Sequence, residues 1–133
     1  MPVTLYAHLT WTTRERAPLI TLEVMKFLER FLPGVAKRHA ADLLELGIVD
    51  DHVHVLMLLP PIIDIPRLVQ GLKGASARVA NRDVLPKETP LRWATGYDLR
   101  SVSPQAVLRV QEYIRRQAHH HPQSAIDRSQ SPH

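Results

Sequence analysis

Apolar and polar residues fall into seven segments along the chain. Residues 3 to 13, VTLYAHLTWTT, are rich in β-branched and aromatic side chains with partial alternation, which predicts a strand. RERAPL then reads as a loop. From residue 21 to 40 the apolar spacing becomes helical, through Leu22, Met25, Phe27 or Leu28, Phe31 and Leu32, with Thr21 as N-cap. Pro33-Gly34 is expected to break or kink this helix, with Val35, Ala36 and Leu43 extending it. LLELGIVDD and HVHVLMLLP read as two strands turning at Asp50-Asp51, hence an antiparallel hairpin. Asp64 caps a helix starting near Pro66, with Leu68, Val69, Leu72, Ala75 and Val79 on its apolar face. Residues 91 to 102, LRWATGYDLRSV, form a fourth strand, irregular at Gly96. Ser103-Pro104 opens a last helix with a core stripe of Val107, Val110 and Ile114.

The order β-α-β-β-α-β predicts an α+β fold, a ferredoxin-like four-stranded antiparallel sheet, followed by a C-terminal helix. That helix has either the free face of its own sheet or the face of a neighbouring subunit to pack on. A single domain is expected over residues 1–121, and a disordered tail over 122–133, which is polar and has no core stripe.

Composition narrows the chemistry. There is no cysteine, which excludes disulfides, thiolate metal sites and cysteine nucleophiles. The net charge of +4 comes mainly from arginine, a residue suited to phosphate, so nucleic acid is a candidate partner; a plain solubility charge explains it equally well. The longest apolar run, VLMLLPPII, is too short to span a bilayer, and no targeting segment is visible, so a soluble cytoplasmic protein is expected.

Two motifs carry candidate chemistry. His52 and His54 stand two apart on a strand and so share one face, with Val53, Val55 and Met57 on the other. Two imidazoles on a stiff strand suit one divalent cation but do not complete its coordination. Asp50 or Asp51 is placed to orient one of them. Taken alone, so short a pair favours surface histidines on a half-exposed strand. Tyr113 and Gln117 lie one turn apart on the last helix. A tyrosine hydroxyl can attack phosphorus, although a phenol ionises only near pH 10 (about) and needs a metal or a base beside it. A carboxamide oxygen suits Mg²⁺ or Mn²⁺. Taken alone, such a tyrosine packs its ring and such a glutamine is solvated. His119, His120 and His121 read by default as a solvated basic helix end.

Together, in this order, His52-Val53-His54 and Tyr113-Ile114-Arg115-Arg116-Gln117 resemble the small single-tyrosine transposases of the HUH endonuclease superfamily, including the REP-associated tyrosine transposases. HLTWTT, DHVH, LKGASAR, GYDLRSV and QAHHH are also similar to that family, and Asp50 departs from it where many relatives carry proline. The resemblance implies His52, His54 and Gln117 as ligands of one divalent ion, with Mg²⁺ expected and Mn²⁺ the alternative. It implies attack by Tyr113 on single-stranded DNA, a 5′-phosphotyrosine intermediate and rejoining to a new strand. It further implies recognition of a DNA hairpin and a homodimer in which the tyrosine helix can serve the partner's histidines. The setting it implies is a bacterial or archaeal cytosol. Arg14, Arg16, Lys73 and Arg78 are candidate phosphate contacts, and Trp93 and Tyr97 candidate stacking platforms for an unpaired base. Two other functions fit the residues: a ferredoxin-like module that binds single strands without chemistry, and a metal-dependent phosphodiesterase using water.

Overall fold

The computed structural model describes residues 4–117 and 124–127. β1 (Leu5–Thr12), α1 (Leu22–Arg38), β2 (Asp42–Ile48), β3 (His52–Leu59), α2 (Ile65–Gln70), α3 (Ser76–Asp83), β4 (Asp98–Val102) and α4 (Val107–Arg115) follow in that order. The strands form one antiparallel sheet in the order β2-β3-β1-β4. This is the ferredoxin-like arrangement expected from the order of segments, with the terminal helix added.

Strict alternation divides the sheet into two faces. Leu9 and Trp11 of β1 and Val53, Val55 and Met57 of β3 turn toward α1, α2 and α3, where they meet Val24, Leu28, Leu32, Leu68, Leu72 and Ala80 in one core. β2 joins that face through a bulge. Leu43 pairs with Met57 and Leu46 with Val55, which an odd separation would forbid unless one residue, Leu44, were extra. The opposite face carries His8, Thr10, His52 and His54.

Four local expectations are corrected. α1 runs unbroken through Pro33 and Gly34. Proline lacks the N–H that an unbroken helix would direct at the carbonyl of Glu29, but Glu29, Pro33 and Gly34 are all exposed, so the missing bond lies on the solvent side and nothing forces a break. Leu43 belongs to β2, not to α1. The second helical run, which Asp64 caps through Arg67 N–H, contains a π turn at Gly71–Ala75. That wide turn brings Leu68, Leu72, Ser76 and Ala80 onto one buried face at a spacing of four, and leaves Ala75 and Val79 half-buried. The fourth strand covers residues 98 to 102 rather than 91 to 102. Before it, Trp93 makes a single bridge to Thr13, and Gly96 takes a φ of +88°, open to glycine at little cost.

Thr21 accepts from Val24 N–H as the N-cap of α1. At the other end of the chain, Ser103 makes no side-chain cap, and Pro104–Ala106 form a 3₁₀ turn before α4. Of the tail expected to be disordered, residues 124–127 are described: Asp50 N–H donates to the Ser124 carbonyl at 2.8 Å and Ile126 packs against the core. His119, His120 and His121 lie outside the described residues. No described helix is long and apolar enough to cross a membrane.

Candidate active site

β3 runs through the middle of the sheet, so its polar face is shielded on both sides. His52 and His54 are only 4% and 7% exposed, which rules out the surface-pair reading. Their rings stand edge to face with centroids 5.1 Å apart. A buried imidazole needs a partner for its N–H. His52 Nδ1 donates to Asp51 Oδ1 at 2.7 Å, and Arg16 Nε donates to Asp51 Oδ2 at 3.2 Å. Burial alone would raise the pKa of Asp51; the hydrogen bond from His52, then Arg16, outweighs it and holds the carboxyl below its ordinary range. With Nδ1 engaged by Asp51, Nε2 is the nitrogen His52 would offer a cation.

His54 has a different neighbour. β1 lies next to β3 with Thr10 directly opposite His54, so Tyr6, His8, Thr10 and Thr12 share the histidine face. His8 Nε2 is 2.9 Å from His54 Nδ1, and Thr10 Oγ1 is 3.2 Å from the same nitrogen. Burial lowers the pKa of His8, against the nearby Asp98 carboxylate, which raises it. No sequence motif by itself marks His8 or Thr10 as site residues. The available signal was the alternation of β1, which sets them opposite Leu9 and Trp11, combined with the adjacency of β1 and β3 in a ferredoxin-like sheet.

α4 covers this face over β2 and β3. Gly47, opposite His54, has no side chain, and Ile114 closes on it: a Cβ at Gly47 would stand 2.5 Å from the Ile114 carbonyl oxygen. Arg115 adds an ion pair to Glu45 of β2 at 3.0 Å. Ile114 is fully buried, while Val107 and Val110, expected beside it in the stripe, are half-buried. So docked, α4 sets the Tyr113 ring edge to face with His54 of its own chain, centroids 5.8 Å apart, and 6.4 Å from His8. Tyr113 is 42% exposed, open to a large substrate.

Gln117 lies just past α4 and is buried, not solvated. Its Nε2 donates to the Tyr113 carbonyl at 3.1 Å, and its Oε1 is buried without a hydrogen-bond partner among the described residues. A desolvated, unpaired carbonyl oxygen is costly. It is also the donor a hard divalent cation takes, so the residues fit such an ion. Its amide bonds neither imidazole; it lines a cavity of about 310 Å³ with Glu29, Glu45, Ile48 and Ile126. The structure therefore brings His52, His54 and Tyr113 together, adds His8, and leaves Gln117 one turn away.

The candidate DNA contacts divide. Arg14 and Arg78 are exposed, Arg78 beside His39 and Arg67 on a groove that passes Gly71 and Gly74. Arg16 holds Asp51. Lys73 Nζ donates to the carbonyls of Ala94 and Gly96 at 2.8 and 2.7 Å, so it braces the loop before β4. Trp93 packs edge to face on Trp11 and donates to Ser76 Oγ at 3.1 Å, chiefly a core residue. Tyr97 is 44% exposed and flanks a cavity of about 390 Å³ with Trp93, Val69 and Lys73.

Known proteins resemble this chain in sequence and in fold. A family model described as "Transposase IS200 like" matches residues 3–117. ISDra2 transposase TnpA of Deinococcus radiodurans is 32% identical over 114 residues, which cover 83% of this chain and 81% of that protein. A crystal structure of a transposase from Deinococcus radiodurans superposes with a TM-score of 0.69 at 30% identity, covering 88% of this chain and 93% of that one. A REP-associated tyrosine transposase bound to a REP hairpin shares the fold at a TM-score of 0.68 and 12% identity, over 91% of this chain and 70% of that one.

Proposed function

This chain belongs to the IS200-like transposases, a family of HUH-type endonucleases of single-stranded DNA, and on that footing we propose that Tyr113 is its nucleophile and that His52, His54 and Gln117 hold one divalent cation. The observation that carries the proposal is the half-exposed Tyr113 ring seated against His54 of the same chain. The family is metal-dependent. We assign Mg²⁺, because the Gln117 carbonyl is a hard oxygen donor, with Mn²⁺ accepting the same set. When bound, the ion supplies Lewis-acid polarisation of the scissile phosphate.

The chain's own groups do the rest. The Tyr113 hydroxyl loses its proton and its oxygen attacks the phosphorus. The bond from phosphorus to the 3′ oxygen breaks, that oxygen takes up a proton to become a free 3′ hydroxyl, and the 5′ phosphate stays on Tyr113. In the second half, the 3′ hydroxyl of another strand gives up its proton and attacks the phosphotyrosine. The phosphorus–tyrosine bond breaks and Tyr113 regains its proton. One ester replaces another at each step, so no nucleotide hydrolysis is required.

We extend the reading to a DNA hairpin beside the cleaved strand. Exposed Arg14 and Arg78 suit phosphates, and Tyr97 with the accessible part of Trp93 suits a stacked, unpaired base. Tyr97→Ala is expected to weaken hairpin binding by roughly 5- to 150-fold, the cost of about 1–3 kcal/mol for one lost stack. The salt dependence of binding should stay unchanged, because no phosphate contact is removed. A homodimer joined at an outer strand completes the proposal; β4 is one such strand. The placement of α4 argues for a tyrosine acting in its own subunit.

The test is to incubate the protein with single-stranded DNA from the flanks of its own gene and Mg²⁺ or Mn²⁺. A protein–DNA species that survives denaturation and vanishes with EDTA is expected. Binding without such a species under any divalent ion would reduce the protein to a binding module.

A further inference from the structure

Two histidines are expected to present Nε2 outward, and each then needs an acceptor for its Nδ1 proton. For His52 that acceptor is Asp51. For His54 the described residues place a different kind of acceptor beside Nδ1. They offer His8, whose Nε2 lies 2.9 Å away, and the Thr10 hydroxyl at 3.2 Å.

A contact between two ring nitrogens carries one proton, and its direction decides the chemistry of both rings. If His8 donates, His54 accepts at Nδ1, its proton sits on Nε2, and that nitrogen has no lone pair for a cation. If His54 donates, its Nε2 is a ligand and His8 must be the tautomer protonated at Nδ1. The Thr10 hydroxyl, 3.2 Å from His54 Nδ1 and 3.5 Å from His8 Nε2, can accept or donate and so serves either arrangement; a cation's need for the lone pair of His54 Nε2 selects the second. His54 is almost completely buried, so water is a poor substitute for this partner. The rigid pairing of β1 with β3 fixes both side chains.

We infer that His8 is a positioning residue of the strand-transfer centre: its Nε2 accepts the Nδ1 proton of His54 and so keeps His54 Nε2 available to the divalent cation. The inference rests on the proposed cation reading. His8 touches no substrate in this role; it acts through the tautomer and ring orientation of its neighbour.

The experiment compares wild type with His8→Ala, His8→Gln and His52→Ala, each checked for fold by circular dichroism. Mn²⁺ affinity is read by electron paramagnetic resonance, and the His54 ring nitrogens by ¹⁵N NMR of the Mg²⁺-loaded protein. Loss of an outer partner of a metal-ligating histidine typically costs about 10- to 100-fold in metal affinity. His8→Ala is expected to show that loss, with a shift of the His54 resonances away from the Nδ1–H tautomer. His8→Gln, whose carbonyl oxygen reaches about as far as the imidazole Nε2, should recover most of the affinity, and metal-free hairpin binding should be unaffected in both. If His52→Ala weakens Mn²⁺ binding while His8→Ala leaves affinity and the His54 tautomer at wild-type values, the role of His8 is overturned and the cation site stands. If neither variant weakens Mn²⁺ binding, the cation reading falls and His8 with it. Should His8→Ala not fold, His8→Gln and His8→Phe give the same contrast between an acceptor and none.

Discussion

Tyr113→Phe should abolish the covalent protein–DNA species and strand joining, a loss on the order of 10⁴-fold or more, as expected when a nucleophile is removed. Hairpin affinity should stay within about twofold. The separation of the two readouts follows from geometry. The Tyr113 ring meets His54 edge to face, and phenylalanine keeps that contact and the burial of the ring. What is lost is one hydroxyl, on a side chain left 42% exposed. Retained cleavage by Tyr113→Phe would mean that water attacks the phosphorus, and the protein would be a metal-dependent phosphodiesterase. Wild-type cleavage without a covalent species would lead to the same conclusion. Loss of binding together with cleavage would show instead that the tyrosine organises the DNA.

Gly47→Ala should have the second-largest effect, although it removes nothing. A Cβ at this position would lie 2.5 Å from the Ile114 carbonyl oxygen and 2.8 Å from Ile114 Cγ2. The first of these is backbone and cannot rotate away, so α4 must lift from β2. Forced overpacking of this kind costs about 1–3 kcal/mol of stability. The catalytic loss should be larger, because α4 carries Tyr113, and misplacing a reacting group by about 1 Å can cost roughly 10²-fold. Urea denaturation and the covalent-adduct assay measure the two effects. Gly34→Ala is the control: it lies in exposed helix with nothing within 4 Å of its added Cβ, and should be neutral or stabilising by up to about 1 kcal/mol. An unchanged adduct rate in Gly47→Ala would show that α4 does not rest on this glycine in solution.

Contacts between distant segments, of which Gly47 with Ile114 is one, separate what could be foreseen from what could not. His52, His54, Tyr113 and Gln117 were readable as candidates because strand and helix periodicity fix which residues share a face within one segment. Arg16 and Lys73 are candidate phosphate contacts by sequence, and the acceptors that engage them in the fold, Asp51 and the carbonyls of Ala94 and Gly96, are 35, 21 and 23 residues away, beyond what local patterning shows. The edge-to-face contact that buries part of Trp93 against Trp11 lies between two segments, so neither segment alone announces it. His8 was overlooked for the same reason: its partner His54 is 46 residues on.

What the chain by itself determined is the kind and order of its elements, the caps at Thr21 and Asp64, and the pairing of two imidazoles on one strand face, all set by steric periods of two and 3.6 residues. Folding in three dimensions decided the rest: the bulge at Leu44 that turns Leu43 inward, the π turn that re-phases the second helical run, and the seat of α4 on Gly47. These depend on register and close packing between distant segments, where a shift of one residue reverses every side chain. That packing is what sets a phenol beside its own chain's histidines.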